Sequence, residues 1–338
     1  MKIHFLISVA FTALLIASPE TFAQEARTGA GANSRGDLGE LTNRAEKGDP
    51  DAQYQLGAIF AEGNGVSADG ALAAKWLKRA AEQGHANAQH ALGGIVEKVG
   101  TEAAYTEAIK WVRMAAEQKL ARAQYHLGLF YDKGRGVTKD EMEAANWFRL
   151  AAEQGFAAAQ HNLGALYHEG RVVSRDDAIA AKWFFKAAEQ GRADSQFNLG
   201  ALYQQGLGLP QDYTKAADWY RKSADQGYAD AQYRYATLHL KGLGIPRNLA
   251  DAAKWTSLAA QQGHAEAQFN LGIMSYKGDG VAKDKIEAFK WFTLALKNGI
   301  QKGRAATESL AHELTAEQIN AGKKRADDWK PATAADKK

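Results

Sequence analysis

Ala52, Leu56, Ile59 and Phe60 fall at helical spacing in a stretch that ends near Glu62. The pattern predicts a helix with one apolar face. Asp49 is placed to cap its start through a side-chain oxygen, and Pro50 suits the first helical position, where no amide donor is needed. Gly57 interrupts the apolar face, although glycine inside a helix costs roughly 1 kcal/mol against alanine. That cost predicts a second helix passing too close for a side chain. The turn Gly63-Asn64-Gly65-Val66 follows, since glycine supplies the positive backbone angles that stop a helix. Asp69 then stands where it can cap a second helix. Seven residues on is Trp76, whose ring is expected to face inward. Ala80 to Gly84 closes this helix, with glycine as the stop signal.

The same sentence is written seven times. Its glutamines are Gln53, Gln89, Gln124, Gln160, Gln196, Gln232 and Gln268, and five of the six spacings are 36 residues. Trp76, Trp111, Trp147, Trp183, Trp219, Trp255 and Trp291 keep the same beat, and glycine or alanine recurs at the Gly57 position. A period of this length means stacked supersecondary units. The predicted fold is all-α, a right-handed α/α solenoid of seven helix-turn-helix repeats with capping helices. Three copies depart from the rule: the second has Glu97-Lys98-Val99-Gly100-Thr101 in place of the glycine turn, the fourth reads Gly170-Arg171-Val172-Val173, and the sixth replaces the Leu-Gly pair by Tyr235-Ala236. At the ends, Leu41 to Gly48 reads as the last turns of a second helix. Thr315-Ala316-Glu317-Gln318 reads as a capping box opening a helix toward Trp329. The expected organisation is a signal peptide over 1–23, a flexible linker over 24–40, the solenoid over 41–300 with its half-repeat cap, a capping helix over 301–330 and a tail over 331–338.

The signal assignment rests on Lys2, the apolar run Phe5 to Ile16, Pro19 and Thr21-Phe22-Ala23, with cleavage expected after Ala23. The run falls short of the about 20 residues a spanning helix needs, so no transmembrane segment is expected after cleavage. The expected location is the periplasm, with secretion as the alternative. There is no cysteine, so stability must come from packing alone. Hydrophobic residues at 46% and charged residues at 24% fit an ordered chain. A net charge of +3, from 42 basic and 39 acidic residues, argues against nucleic acid as a partner.

Catalytic chemistry finds little support. The glycine turns lack the dinucleotide fingerprint and follow no strand. None of the ten serines has a lysine three residues on, as a β-lactam-processing serine would require. His161 and His168 lie seven apart on one predicted helix, but two histidines without further converging ligands rarely make a zinc site. His90 and His161 stand where other copies have Tyr or Phe, as aromatic substitutes. Glu82, Glu117, Glu153 and Glu189 share one repeat position and mark a solvated helix face. No catalytic, cofactor or metal site is expected.

The run A-x-A-Q-aromatic-x-L-G, followed by G-x-G-V, the capping Asp and A-x-x-W, resembles the Sel-one-like repeat, a branch of the tetratricopeptide-type solenoids. The resemblance covers about Pro50 to Gly299. It implies an exported, non-enzymatic scaffold or adaptor that binds a protein or peptide in a concave groove, with a role in envelope signalling or host contact. A cell-wall enzyme or glycan-binding protein is the alternative. Positions identical in every copy serve the stack, whereas positions that vary on the inner face are free to specify a partner. By the same resemblance, that wall holds the residues two and five past the Leu of Leu-Gly. From these, Leu129, Asp132, His168, Gln204, Thr237, Leu240, Ile273 and Tyr276 are the candidate partner-binding residues. The recurring aromatics Tyr54, Tyr125, Phe197, Tyr233 and Phe269 border the same groove and are expected to be mainly core.

Overall fold

The computed structural model describes residues 35–332, so the expected signal peptide lies outside the described residues. Among these residues there are 17 helices and no strand. Helix α1 (Arg35–Glu46) is followed by the seven pairs, first helix then second: α2 (Pro50–Glu62) and α3 (Gly70–Glu82), α4 (Ala86–Glu97) and α5 (Glu102–Glu117), α6 (Ala121–Lys133) and α7 (Glu141–Glu153), α8 (Ala157–Glu169) and α9 (Asp177–Glu189), α10 (Ala193–Gln205) and α11 (Tyr213–Asp225), α12 (Ala229–Lys241) and α13 (Leu249–Gln261), and α14 (Ala265–Lys277) and α15 (Lys285–Lys297). Helices α16 (Lys302–Ala311) and α17 (Ala316–Asp327) close the array, both packed on α15. The chain divides into two compact units. One ends at Leu166 and takes in Arg171–Val173; the other holds Tyr167–Gly170 and continues from Ser174.

Capping follows the expected chemistry. Asp49 accepts from the amides of Asp51 and Ala52 ahead of Pro50. Asp69, Asp140, Asp176, Asp212, Asn248 and Asp284 each accept from the first-turn amides of their second helix. In the second copy Thr101 takes that role for a longer helix of 16 residues. The capping box at Thr315 is complete, with Gln318 reaching back to the Thr315 amide at 2.9 Å.

Gly57, Gly93, Gly128, Gly200 and Gly272, at the repeated first-helix position, sit where a neighbouring helix leaves no room. A Cβ at Gly128 would stand 2.6 Å from the Phe148 ring, one at Gly200 2.8 Å from Tyr220, and one at Gly272 2.6 Å from Phe292. The residue facing each glycine is the one after the tryptophan. Leu77, Val112, Phe148, Phe184, Tyr220, Thr256 and Phe292 occupy that position, and all are buried. The sixth copy compensates within itself, carrying Ala236 in place of glycine and the small Thr256 at the facing position.

The tryptophans face the core to differing degrees. Trp76, Trp219 and Trp291 are buried, but Trp111, Trp147, Trp183 and Trp255 are only half-buried. Their polar edges are used at the surface. Trp111 and Trp147 donate from Nε1 to Glu107 and Glu143 at 3.0 and 2.9 Å. Lys186 and Lys222 lie over Trp183 and Trp219, 4.4 and 4.0 Å from the ring centroids.

The recurring glutamine is a buried link between repeats. Gln53, Gln89, Gln124, Gln160, Gln196, Gln232 and Gln268 each donate to a carbonyl in the last turn of the preceding helix, from Ala45 through Ala260. Gln53 accepts in turn from Gln83 at the end of its own repeat, and Gln268 accepts from Asn298 at 2.8 Å. Helix α1 supplies Ala45 to this series and buries Leu41 and Ala45 against Leu56 and Trp76, which makes it the half-repeat cap.

In the third, fifth, sixth and seventh copies the second glycine of the turn lies directly on the first turn of the preceding second helix. A Cβ at Gly208 (φ +66°) would overlap the backbone of Asp177 and Ala178, and one at Gly244 would overlap Tyr213. The fourth copy places Val172 there at φ 54°, in the left-handed region that a β-branched residue rarely adopts. Its side chain packs on the cluster of Ala144, Phe148 and Leu166. One repeat position therefore has two costs. Gly208→Ala is expected to destabilise by about 3 kcal/mol or more, since the backbone collision adds to about 1–2 kcal/mol of left-handed strain. Val172→Gly exchanges relief of that strain for lost packing and should change stability by less than about 1 kcal/mol. Urea unfolding of the two variants measures both.

Candidate partner-binding face

The candidate residues stand on the first helices, and each is engaged by the array itself. Leu129 and Asp132 share α6. Leu129 is half-buried and packs on the Phe148 cluster. Asp132 accepts from Arg171 at 3.1 Å, and Arg171 also pairs with Glu141 at 2.8 Å. Lys139 and Arg171 together hold the Glu141 carboxyl down to about 2. One repeat earlier, Glu97 occupies the Asp132 position and pairs with Arg135 at 3.0 Å. Arg135 and Arg171 are the same residue of successive turns, so this position faces the turn of the next repeat.

In the other unit, His168 Nδ1 lies 2.6 Å from Asp177. Gln204 accepts from the Tyr220 hydroxyl at 2.7 Å, and Thr237 donates to the Tyr233 carbonyl of its own helix. Leu240 packs on Ala252, Ala253 and Met274. Ile273 and Tyr276 pack on the cluster of Ala288, Phe289, Phe292 and Leu310. Tyr276 donates to Glu313 at 2.9 Å, and Glu313 also pairs with Lys285. The Lys285 ammonium and then the Tyr276 hydroxyl hold the Glu313 carboxyl below the usual range. Leu240 and Tyr276 thus belong to two separate small clusters. Asp132, His168, Gln204 and Tyr276 each bond a turn or helix beside their own.

The bordering aromatics are half-buried and stacked within the array, as expected of core. Tyr125 lies 5.6 Å from Phe148, Phe197 5.7 Å from Tyr220, and Phe269 5.5 Å from Phe292. His90 takes the same place and stands edge-on to His126 at 5.4 Å. His126 in turn contacts Glu97 at 2.7 Å and stacks on Phe130. Burial, then the neighbouring His126 and Arg122, lowers the His90 pKa to about 3. Unfolded, His90 titrates near its ordinary value of about 6.5, so the unfolded state takes up the extra proton between these limits. Stability is therefore full above pH 6.5 and falls as pH drops toward 3. His90→Tyr, which copies Tyr54 and Tyr125, should remove about 2 kcal/mol of the loss between pH 7.5 and pH 5. Denaturant unfolding of both proteins at the two pH values measures it. Among the described residues no group of three ligands fit for a metal ion occurs.

Sequence reasoning passed over the position just before the Leu anchor. On α10, α12 and α14 it holds Asn198, Arg234 and Asn270, one helical step from Ala201, Thr237 and Ile273. Asn270 donates to the Tyr233 hydroxyl at 3.3 Å. Arg234 is exposed, with its guanidinium 6.0 Å from the Tyr233 ring centroid and no carboxylate partner among the described residues. The signal was available in the sequence: an arginine in a position that is asparagine in its neighbours.

The helix pairs, their turns and the glutamine links define a family. The Sel1 repeat model matches residues 50–85, 86–120, 121–156, 157–191, 193–228, 229–264 and 265–300. The chain is a Sel1 repeat protein. It is similar to a Sel1 repeat protein from Oxalobacter formigenes at 31% identity, over 72% of this chain and 98% of the other, with a TM-score of 0.61. It is also similar to c5321, a protective antigen of uropathogenic Escherichia coli with an SLR fold, at 27% identity over 93% and 94% of the two chains, with a TM-score of 0.53. No curated protein matches the chain. Solenoids of this family commonly serve as protein–protein interaction scaffolds. No helix among the described residues is long and apolar enough to cross a membrane.

Proposed function

We propose that this Sel1 repeat protein is a non-catalytic scaffold of the cell envelope, holding a protein or peptide partner on the face of its first helices. The observation that carries this reading is the row Asn198, Arg234 and Asn270. The amides offer both a donor and an acceptor to a partner's backbone. The guanidinium offers a planar fork of donors, unspent on any carboxylate here, that suits an acidic side chain or chain end. Around it, the exposed edges of Gln204, Thr237, Leu240, Ile273 and Tyr276 supply contact area.

Arg234→Glu tests the reading. Affinity purification from the periplasm with mass spectrometry should lose the partner recovered by the wild type, while the thermal melt barely moves, as for other exposed substitutions. A partner retained by the variant, with cross-links around Lys182 or Lys222 on the second helices, would place the interface elsewhere. Export after cleavage at Ala23 is part of the proposal. N-terminal sequencing should then begin at Gln24, and intact Met1 recovered from the cytoplasm would overturn it. A role in host contact draws support from the likeness to c5321, a protective antigen.

A further inference from the structure

Because the array repeats, each junction between successive second helices can be compared with the others. Two residues past the tryptophans of the first six copies stand Lys78, Arg113, Arg149, Phe185 and Arg221, but Ser257 in the sixth. Four residues past the first-helix anchors of the second to seventh copies stand Val96, Tyr131, Tyr167, Tyr203 and His239, but Ser275 in the seventh. Where the second and third copies join, these two positions meet: Arg113 donates to the Tyr131 hydroxyl at 2.6 Å, with its guanidinium 5.6 Å from the ring centroid. Where the fourth and fifth join, Phe185 reaches edge-on to Trp219 at 6.0 Å. Where the sixth and seventh join, both positions are serine. An open cleft of about 510 Å³ lies there between α13 and α15, lined by Ser257, Leu271, Ser275, Trp291 and Trp329.

The charge that accompanies these side chains is missing as well. Lys78, Arg149 and Arg221 pair with Glu82, Glu153 and Asp225 on their own helices. The sixth copy has Gln261 at that place, donating to Ser257 at 3.2 Å. The charges at the rim cancel: Glu287 is held by Lys290 at 2.7 Å and by Arg325 at 3.1 Å, and Arg325 also reaches Asp284 at 3.5 Å. A cationic visitor would find no free carboxylate, and an anionic one no free cation. A neutral ring meets indole edges, Leu271 and Val281, with serine hydroxyls in reach of a phenol. The rim is also pinned in place, since the Ala332 amide donates to the Gln261 carbonyl at 2.7 Å and Trp329 stands edge-on to Trp291 at 6.4 Å.

We propose that this cleft receives one aromatic side chain, tyrosine or phenylalanine, of a partner protein. The site opens between the second helices α13 and α15, with Leu271 and Ser275 of α14 in its lining, and it does not include Asn198, Arg234 or Asn270. Trp329 stands edge-on to Trp291 as Phe185 does to Trp219, and the partner's ring adds to that pair.

The probe is N-acetyl-tyrosinamide, titrated into the full chain while the indole N–H signals of Trp291 and Trp329 are followed by NMR. Both signals should shift and saturate in the millimolar range. The double variant Ser257→Arg and Ser275→Tyr rebuilds the Arg113–Tyr131 pair and should weaken binding at least tenfold, with the unfolding midpoint unchanged or raised. If that variant does not fold, Ser257→Phe, which copies Phe185, should do the same. Unchanged affinity in a folded, plugged variant would overturn the proposal. So would the absence of a saturable shift, or a stronger response to N-acetyl-argininamide or methyl glucoside run in parallel. None of these outcomes bears on Arg234, so this site and the first-helix face fail separately.

Discussion

Phe148→Ala is expected to cost about 3–5 kcal/mol, and Trp147→Ala about half of that or less. Phe148 is 3% exposed and closes against Gly128, where even a Cβ would lie within 2.6 Å of its ring. Truncation leaves a cavity that the neighbouring backbone cannot fill. Trp147 is half-buried, with its indole N–H spent on Glu143 at the surface, so water replaces much of what its removal takes away. The loss should also be local. Each repeat of a solenoid contacts only its neighbours, so hydrogen exchange should quicken around α6 and α7 before α2 and α3 respond. A larger loss for Trp147→Ala than for Phe148→Ala would make Trp147 the main anchor of its repeat.

Gln268→Met should cost about 1–3 kcal/mol for the buried Ala260 carbonyl left stranded. The substitution keeps the volume, so the effect isolates hydrogen bonding. Gln268 is fully buried, donates to the Ala260 carbonyl at 3.2 Å and accepts from Asn298 at 2.8 Å. The Ala260 carbonyl loses its bond where water does not reach, whereas the exposed Asn298 amide turns to water. Asn298→Ala leaves the donation to Ala260 intact and should cost less than Gln268→Met. Equal unfolding midpoints for the wild type and Gln268→Met would mean that the glutamine series contributes no stability.

Much of the fold was legible in the sequence because its signals are local. A capping oxygen acts on amides two or three residues away, so Asp49, Asp69 and Thr315 could be read directly and lie where expected. Gly57 was legible for a related reason, since a repeated cost in a helix implies a repeated gain from close packing. Recurrence at a fixed period then required stacking, as one pair of helices cannot bury its apolar face alone.

The candidate site was less legible, because identity and variation are ambiguous without contacts. The seven tryptophans never vary, yet four are only half-buried, while the residue beside each varies from Leu77 to Thr256 and is buried throughout. Buried positions tolerate change when the facing residue changes in volume, as Ala236 and Thr256 do together. Conversely, variation at Glu97, Asp132 and Tyr276 looked like freedom to specify a partner, but these side chains answer to Arg135, Arg171 and Glu313. The closing segment was read as one helix and consists of two, α16 and α17, because its shape is set by packing on α15 rather than by the period. The sequence by itself determined the helices, their caps and the repeat. Tertiary structure alone decided which face of each helix is spent within the array, because that depends on residues about 36 positions away, beyond any local signal.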